Sequence, residues 1–227
     1  MRRLVRRPLI VVVAILGVLF GSAPAAAQGQ PVAPGWKIYP YAPSGMALSS
    51  RTASASADAI AQFTFLATPG DALFATQRPL GPHGSILGKT ISATFRIDAA
   101  AGTTFAYWGE GTPANPCGTP ATARFYFNTN GKFGFGTDND WYSKYWWSNP
   151  ASVILAPGEF TLSAPVAVGP WSNWDGKMSA DRVAGFTAAA SDPDFVGLSF
   201  GGGCFFENGV GTPTGSATFV LESWTIE

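Results

Sequence analysis

Two tryptophan-rich segments of this sequence are candidates for ligand binding. The chain has eight tryptophans, and the segments at residues 138–141 and 171–175 place such rings beside amides and carboxylates. A sugar ring offers an apolar C–H face for stacking, and its hydroxyls need fixed donors and acceptors. We therefore predict that Trp141, Trp171 and Trp174 are stacking platforms for carbohydrate and that Asn173 and Asp175 bind its hydroxyls. The alternative is that these rings fill a core or anchor loops, as large aromatic residues usually do.

Two glutamates offer a second kind of chemistry. Glycosidases use a pair of carboxyl groups, of which one protonates the leaving group and the other attacks or activates water. Glu110 and Glu207 are the candidates for such a pair. The alternative is that they are solvated acids or hydrogen-bond acceptors in turns.

The sequence offers little for metals. Asp138 and Asp140, together with Asp175, are candidate oxygen ligands for a structural calcium ion, although short acidic loops also form turns. The chain has one histidine and two cysteines, which excludes most zinc, haem and iron–sulfur sites. No cofactor is expected.

Short segments of alternating hydrophobicity predict the elements that position these residues. Ile91, Ala93, Phe95 and Ile97 alternate with polar residues, and the same period recurs at 160–163 and 196–200. Further strands are predicted near 60–67, 103–108, 122–128, 142–148 and 216–226. The 27 glycines and 18 prolines punctuate these strands, and we see no long helical period. The pattern predicts an all-β fold, a single antiparallel β-sandwich of jelly-roll type.

The N-terminus has the three parts of a secretory signal peptide. A basic start, an apolar run from Leu9 to Phe20 and Ala25-Ala26-Ala27 predict cleavage after residue 27. Residues 28–58 are interpreted as an edge strand around Trp36 followed by a loose connection, and residues 59–227 as the sandwich domain. We expect a secreted or periplasmic monomer with no membrane span in the mature chain.

Charge excludes one class of partner. Four of the 14 basic residues lie in the first 27 positions, which leaves 10 basic against 14 acidic residues in the mature chain. Nucleic-acid binding needs clustered lysines and arginines, so we do not expect a nucleic-acid partner.

The two cysteines are predicted to form a disulfide. Cys117 and Cys204 are an even pair in a protein with a predicted export signal. If successive strands from residue 103 run antiparallel, the loops 109–121 and 201–215 lie at the same end of the sandwich. The loops 129–141 and 167–194 then lie at the opposite end.

Residues 88–226 resemble the jelly-roll sandwich of non-catalytic carbohydrate-binding modules, including the galactose-binding-like group. The similarity rests on Gly88–Phe95, Phe160–Ser163 with the following Trp171-Ser172-Asn173, and the closing strand from Ala217 to Ile226. It implies glycan binding through loop or face aromatics. The leading hypothesis is an exported, non-catalytic protein that binds carbohydrate or a glycan-bearing surface. The alternatives are a jelly-roll glycoside hydrolase or lyase and a structural extracellular protein without a small ligand.

Overall fold

Fourteen strands form most of the structure, a computed structural model that describes residues 35–41, 50–77, 84–129 and 141–227. The predicted signal peptide lies outside these residues. The strands are β1 (Lys37–Pro40), β2 (Arg51–Thr52), β3 (Ser54–Ser56), β4 (Ala59–Thr64), β5 (Asp71–Gln77), β6 (Thr90–Ala99), β7 (Thr104–Tyr107), β8 (Thr122–Asn128), β9 (Tyr145–Ile154), β10 (Gly158–Pro165), β11 (Trp171–Asn173), β12 (Phe195–Gly201), β13 (Val210–Thr214) and β14 (Ala217–Ile226). A 3₁₀ helix spans Trp141–Lys144, and helix α1 spans Val183–Ser191.

The strands pair in two antiparallel sheets. The large sheet has the order β11-β9-β8-β12-β5-β1-β2, with β13 and β7 joined to it at β5. The small sheet has the order β10-β6-β14-β4-β3. The prediction of an all-β antiparallel sandwich is confirmed, and the jelly-roll assignment stays a prediction.

The alternating side chains of β6 show how the two layers meet. Ile91, Ala93, Phe95 and Ile97 are all buried in one cluster that draws on both sheets. The centroid of the Phe95 ring lies 4.8 Å from that of Phe219 on the neighbouring strand β14, and Phe219 in turn lies 5.4 Å from Phe74 on β5 of the large sheet. Burial of each large apolar side chain stabilises the fold by about 1.5–3 kcal/mol, so this interior is the main source of stability.

The outer faces of the two sheets differ. On the small sheet, hydroxyl groups pair across strands and reach solvent, as in Ser92 with Ser163 at 2.9 Å and Thr64 with Thr218 at 3.1 Å. On the large sheet, Trp146 of β9 faces the core between the sheets, whereas Trp147 belongs to a second buried cluster. Neighbouring strand residues point to opposite faces, so β9 is covered on both sides.

Two parts of the fold differ from the sequence-based expectation. Strand β1 is not an edge strand, because it pairs with both β2 and β5, and its neighbour Trp36 and its own Ile38 are buried in the core. The predicted loop 167–194 contains β11 and helix α1. In the described part of the chain, neither helix has the length and apolar character needed to cross a bilayer.

Candidate functional site

The outer face of the large sheet carries a cluster of aromatic side chains. Trp147 on β9 lies opposite Tyr126 on β8, with ring centroids 5.3 Å apart, and opposite Ser172 on β11. Trp174, in the turn after β11, packs over this row, and its ring lies 5.9 Å from that of Trp147. Aromatic rings on a sheet face, covered by another ring from a turn, form a wall for a small site.

The loop of residues 202–209, between β12 and β13, folds back over the same face. Phe206 of this loop lies over β8, where the Arg124 guanidinium carbon is 3.7 Å from the centre of its ring. The antiparallel model placed this loop and Trp174 at opposite ends of the sandwich. The structure brings them together, because the loop turns back across the sheet.

Two buried asparagines and a disulfide fix the 202–209 loop. Cys117 and Cys204 are bonded, so that prediction is confirmed. Asn115 accepts a hydrogen bond from the Cys204 amide at 2.8 Å, and Asn208 accepts one from the Gly202 amide at 2.9 Å. A Cβ on Gly203 would lie 2.1 Å from the Asn115 side-chain oxygen, so only glycine fits there.

Between the Trp174 turn and the 202–209 loop lies a pocket of about 190 Å³. A cavity needs about 10–15 Å³ of such volume to hold one water, so this pocket has room for several waters. The lining includes Trp147, Asn173, Trp174, Phe205, Phe206 and Glu207. Phe205 is 49% exposed, whereas Glu207 is only 5% exposed. We call this cavity the aromatic pocket.

Polar atoms without partners are concentrated around the aromatic pocket. In the described part of the chain, eleven buried side-chain nitrogen or oxygen atoms have no hydrogen-bond partner. Five belong to residues that line this pocket: Trp147 Nε1, Ser172 Oγ, Asn173 Nδ2 and both carboxyl oxygens of Glu207. Buried polar groups in folded proteins are nearly always hydrogen-bonded. Unpaired buried polar groups of this kind are satisfied by ordered water or by a ligand.

The Glu207 carboxyl is an acid in apolar surroundings. Burial raises its pKa well above the usual value, because an apolar environment disfavours the charged form. Burial, and secondarily the nearby Glu207 carboxyl, raises the pKa of the Tyr126 and Tyr41 phenols. Arg124 does not pair with Glu207; it donates to the Ser148 carbonyl at 3.1 Å, and burial lowers its pKa to about 10.

The free energy of unfolding of the wild type should therefore fall as pH rises. The Glu207→Gln variant should lack this part of the pH dependence. An unfolded glutamate ionises near pH ~4.3, whereas the folded Glu207 stays protonated to higher pH. Its contribution is fully present below the unfolded pKa and is lost as pH rises towards the raised folded pKa. We expect the variant to match the wild type near pH ~4 and to exceed it near pH ~8, by about 1.4 kcal/mol per unit of pKa difference.

Urea unfolding at both pH values measures this difference. Glu110→Gln, at an exposed position, is the matched control and should change stability by less than about 0.5 kcal/mol at either pH. Parallel pH profiles for wild type and Glu207→Gln would show that the carboxyl is not an unpaired buried acid.

The structure separates the predicted carbohydrate residues. Trp171 is wholly buried in the core, where its Nε1 donates to the Pro165 carbonyl at 2.7 Å. Its prediction as a stacking platform is therefore wrong, because its ring faces the interior of the sandwich.

Trp174 is half-buried and lines the pocket. Asn173 also lines it, and its side-chain oxygen accepts a hydrogen bond from the Lys177 amide. A carboxylate oxygen of Asp175 lies 3.7 Å from a guanidinium nitrogen of Arg182, and Asp175 does not line the pocket.

Other predicted residues lie elsewhere. Glu110 lines a separate depression beside Cys117, so Glu110 and Glu207 do not share a pocket. The backbone of Trp141 begins the 3₁₀ helix, and its side chain lies outside the described residues. Asp138 and Asp140 also lie outside them. Among the residues that the structure does describe, no group of three or more metal-ligating side chains occurs.

Sequence reasoning missed the pocket roles of Trp147 and Phe206. The Tyr145-Trp146-Trp147 run carried a usable signal, since adjacent rings on a strand cannot enter the same core. Nothing in the sequence indicated that the 202–209 loop would cover the face on which Trp147 lies.

Comparison with known proteins gives a distant structural match. No model of a known family and no curated protein matches the sequence. Among solved structures, the chain is similar to a xylan-binding module, CBM15, at 16% identity and a TM-score of 0.35, over 84% of this chain and 92% of that one. A similarity at this level does not establish a function, which depends on the pocket itself.

Proposed function

We propose that the protein is an exported, monomeric, non-catalytic β-sandwich that binds carbohydrate in the aromatic pocket. The observation that carries this proposal is a pocket lined by Trp147, Trp174, Phe205 and Phe206, whose lining residues also carry five of the eleven buried polar atoms without partners in the described part of the chain. The predicted signal peptide and the Cys117–Cys204 disulfide support export.

Carbohydrate matches both kinds of surface in the pocket. Phe205, which is exposed, and the half-buried Trp174 and Phe206 provide apolar area for the C–H face of a sugar. Sugar hydroxyls both donate and accept hydrogen bonds. Trp147 Nε1 and Asn173 Nδ2 are donors, whereas the Glu207 carboxyl can accept. A purely apolar ligand would leave these groups unpaired, at a cost of about 1–3 kcal/mol each.

The positions of the two candidate glutamates do not support the hydrolase alternative. Its two carboxyl groups would have to flank one bond of the substrate, whereas Glu110 and Glu207 line different depressions. We therefore propose binding without hydrolysis.

Trp174→Ala should weaken glycan binding by about 10- to 100-fold, which corresponds to about 1.4–2.8 kcal/mol. The variant removes the ring that packs over Trp147 and forms one wall of the pocket. The measurement is a panel of purified oligosaccharides, read by intrinsic fluorescence and then by calorimetry for those that bind.

Trp108→Ala is the matched control. Trp108 is also partly buried, and the centroid of its ring lies 5.3 Å from that of Tyr41, but it does not line the aromatic pocket. We expect this variant to bind within about threefold of the wild type. Failure of the wild type to bind any member of a broad panel would favour the structural-protein alternative.

A further inference from the structure

Glu207 lacks a charge partner inside a pocket of aromatic rings. In the described part of the chain, no basic side chain forms an ion pair with it, and neither of its carboxyl oxygens has a hydrogen-bond partner. Trp147, Trp174 and Phe206 line the same pocket. An anionic carboxylate placed there would be costly to bury unless a cation accompanied it.

The nearby arginine does not supply that cation. The Arg124 guanidinium stacks on Phe206 and donates to the Ser148 carbonyl. Arg182, beyond the Trp174 turn, lies near Asp175. Both guanidinium groups thus have other contacts, and among the described residues the buried Glu207 carboxyl has no counter-ion.

A ligand can supply the missing charge. An ammonium group offers three N–H donors and a positive charge to a carboxylate. The faces of tryptophan and phenylalanine rings attract cations, most strongly where water is excluded. A neutral hydroxyl offers the carboxyl a hydrogen bond only.

From these observations we infer that the pocket selects a sugar carrying a free amine, a hexosamine unit with an unacetylated ammonium group, which pairs with Glu207. This inference rests on the proposed carbohydrate binding and adds the substrate class. Burial of the carboxyl agrees with it, since burial raises the pKa of Glu207 and an adjacent ammonium group would favour the charged carboxylate. Among the described residues, the phenols of Tyr41 and Tyr126 are titratable groups that interact electrostatically with this carboxyl.

Three hexasaccharides with one glucan backbone isolate the effect of the amine. Fully deacetylated chitosan hexamer, its N-acetylated counterpart and cellohexaose differ only in the group on one ring carbon: ammonium, acetamide or hydroxyl. Calorimetry at about pH 5 keeps the amines protonated, because the ring oxygens of an amino sugar lower the pKa of its amine below that of lysine. We expect the wild type to bind the ammonium hexamer about tenfold more tightly than the other two, and Glu207→Gln to reduce this ratio to within about twofold.

The control separates Glu207 from general attraction to an acidic protein. Glu110→Gln makes the same substitution at an exposed position outside the pocket and should keep the tenfold ratio. Thermal unfolding of both variants confirms that they are folded. Equal binding of the three hexamers, or a ratio that persists in Glu207→Gln, overturns this inference while carbohydrate binding stands. If no sugar of any kind binds, the proposed function fails and this inference fails with it.

Discussion

Trp171→Ala is expected to lower the free energy of unfolding by about 3–5 kcal/mol, the usual cost of truncating a wholly buried large aromatic residue. Its ring is not exposed, lies 4.9 Å from that of Phe127, and packs near Phe186 of helix α1. The substitution leaves a cavity and removes the hydrogen bond to the Pro165 carbonyl. Urea unfolding followed by far-ultraviolet circular dichroism measures the loss.

Trp174→Ala, three positions along the chain, is the matched comparison. Its ring is only half-buried, so we expect a loss of stability at least twofold smaller but a much larger loss of binding. If Trp171→Ala were as stable as the wild type and had lost glycan binding, Trp171 would belong to the ligand surface after all. The two tryptophans of this segment would then have to exchange roles.

Removal of the disulfide is expected to have the second large effect. Replacing Cys117 and Cys204 by serine should lower stability by about 2–5 kcal/mol, since the bond closes a long loop of the unfolded chain. The same change releases one anchor of the 202–209 loop, whose Phe205, Phe206 and Glu207 line the pocket. We expect binding to weaken by about tenfold in the folded variant.

Chemical denaturation and calorimetry at a temperature at which the variant is folded measure the two effects separately. Thr119→Ala is a milder control, because it removes only a hydroxyl donor to the Gly203 carbonyl and leaves the disulfide and Asn115 in place. Unchanged binding by the folded double serine variant would mean that the loop is not a wall of the site.

Elements with one buried face could be predicted from the sequence. In β6 the apolar positions alternate with polar ones, because one face meets the core and the other meets solvent. Strand β5 was not predicted, because six of its seven residues are buried. Phe74 packs in the core between the sheets, whereas Leu73 and Ala75 pack in the second cluster, so both faces of the strand are covered. Burial on both faces erases the period on which the prediction depends.

Helix α1 was missed for a local reason. It has only nine residues, and Arg182 at its N-cap makes no side-chain capping hydrogen bond. It begins without the usual serine, threonine or aspartate signal and ends without a glycine. Its packing against the sandwich holds it, as the buried Phe186, Ala189 and Ala190 show.

The candidate site was only partly predictable. Trp174 and Asn173 were identified from their residue types, and the disulfide from the even cysteine count. The aromatic pocket depends on the fold-back of the 202–209 loop, which Asn115 and Gly203 fix through tertiary contacts. Such contacts leave no periodic signal in the sequence.

The indole N–H resonances of the eight tryptophans give the most direct test of the central claim, that a sugar binds in the aromatic pocket, which Trp147 and Trp174 line. The measurement is a titration of ¹⁵N-labelled protein with an oligosaccharide found to bind, after assignment by single substitutions. We predict that the Trp147 and Trp174 signals shift together and that those of the core residues Trp146 and Trp171 stay in place. Saturable binding that leaves the Trp147 and Trp174 signals unmoved would contradict the account.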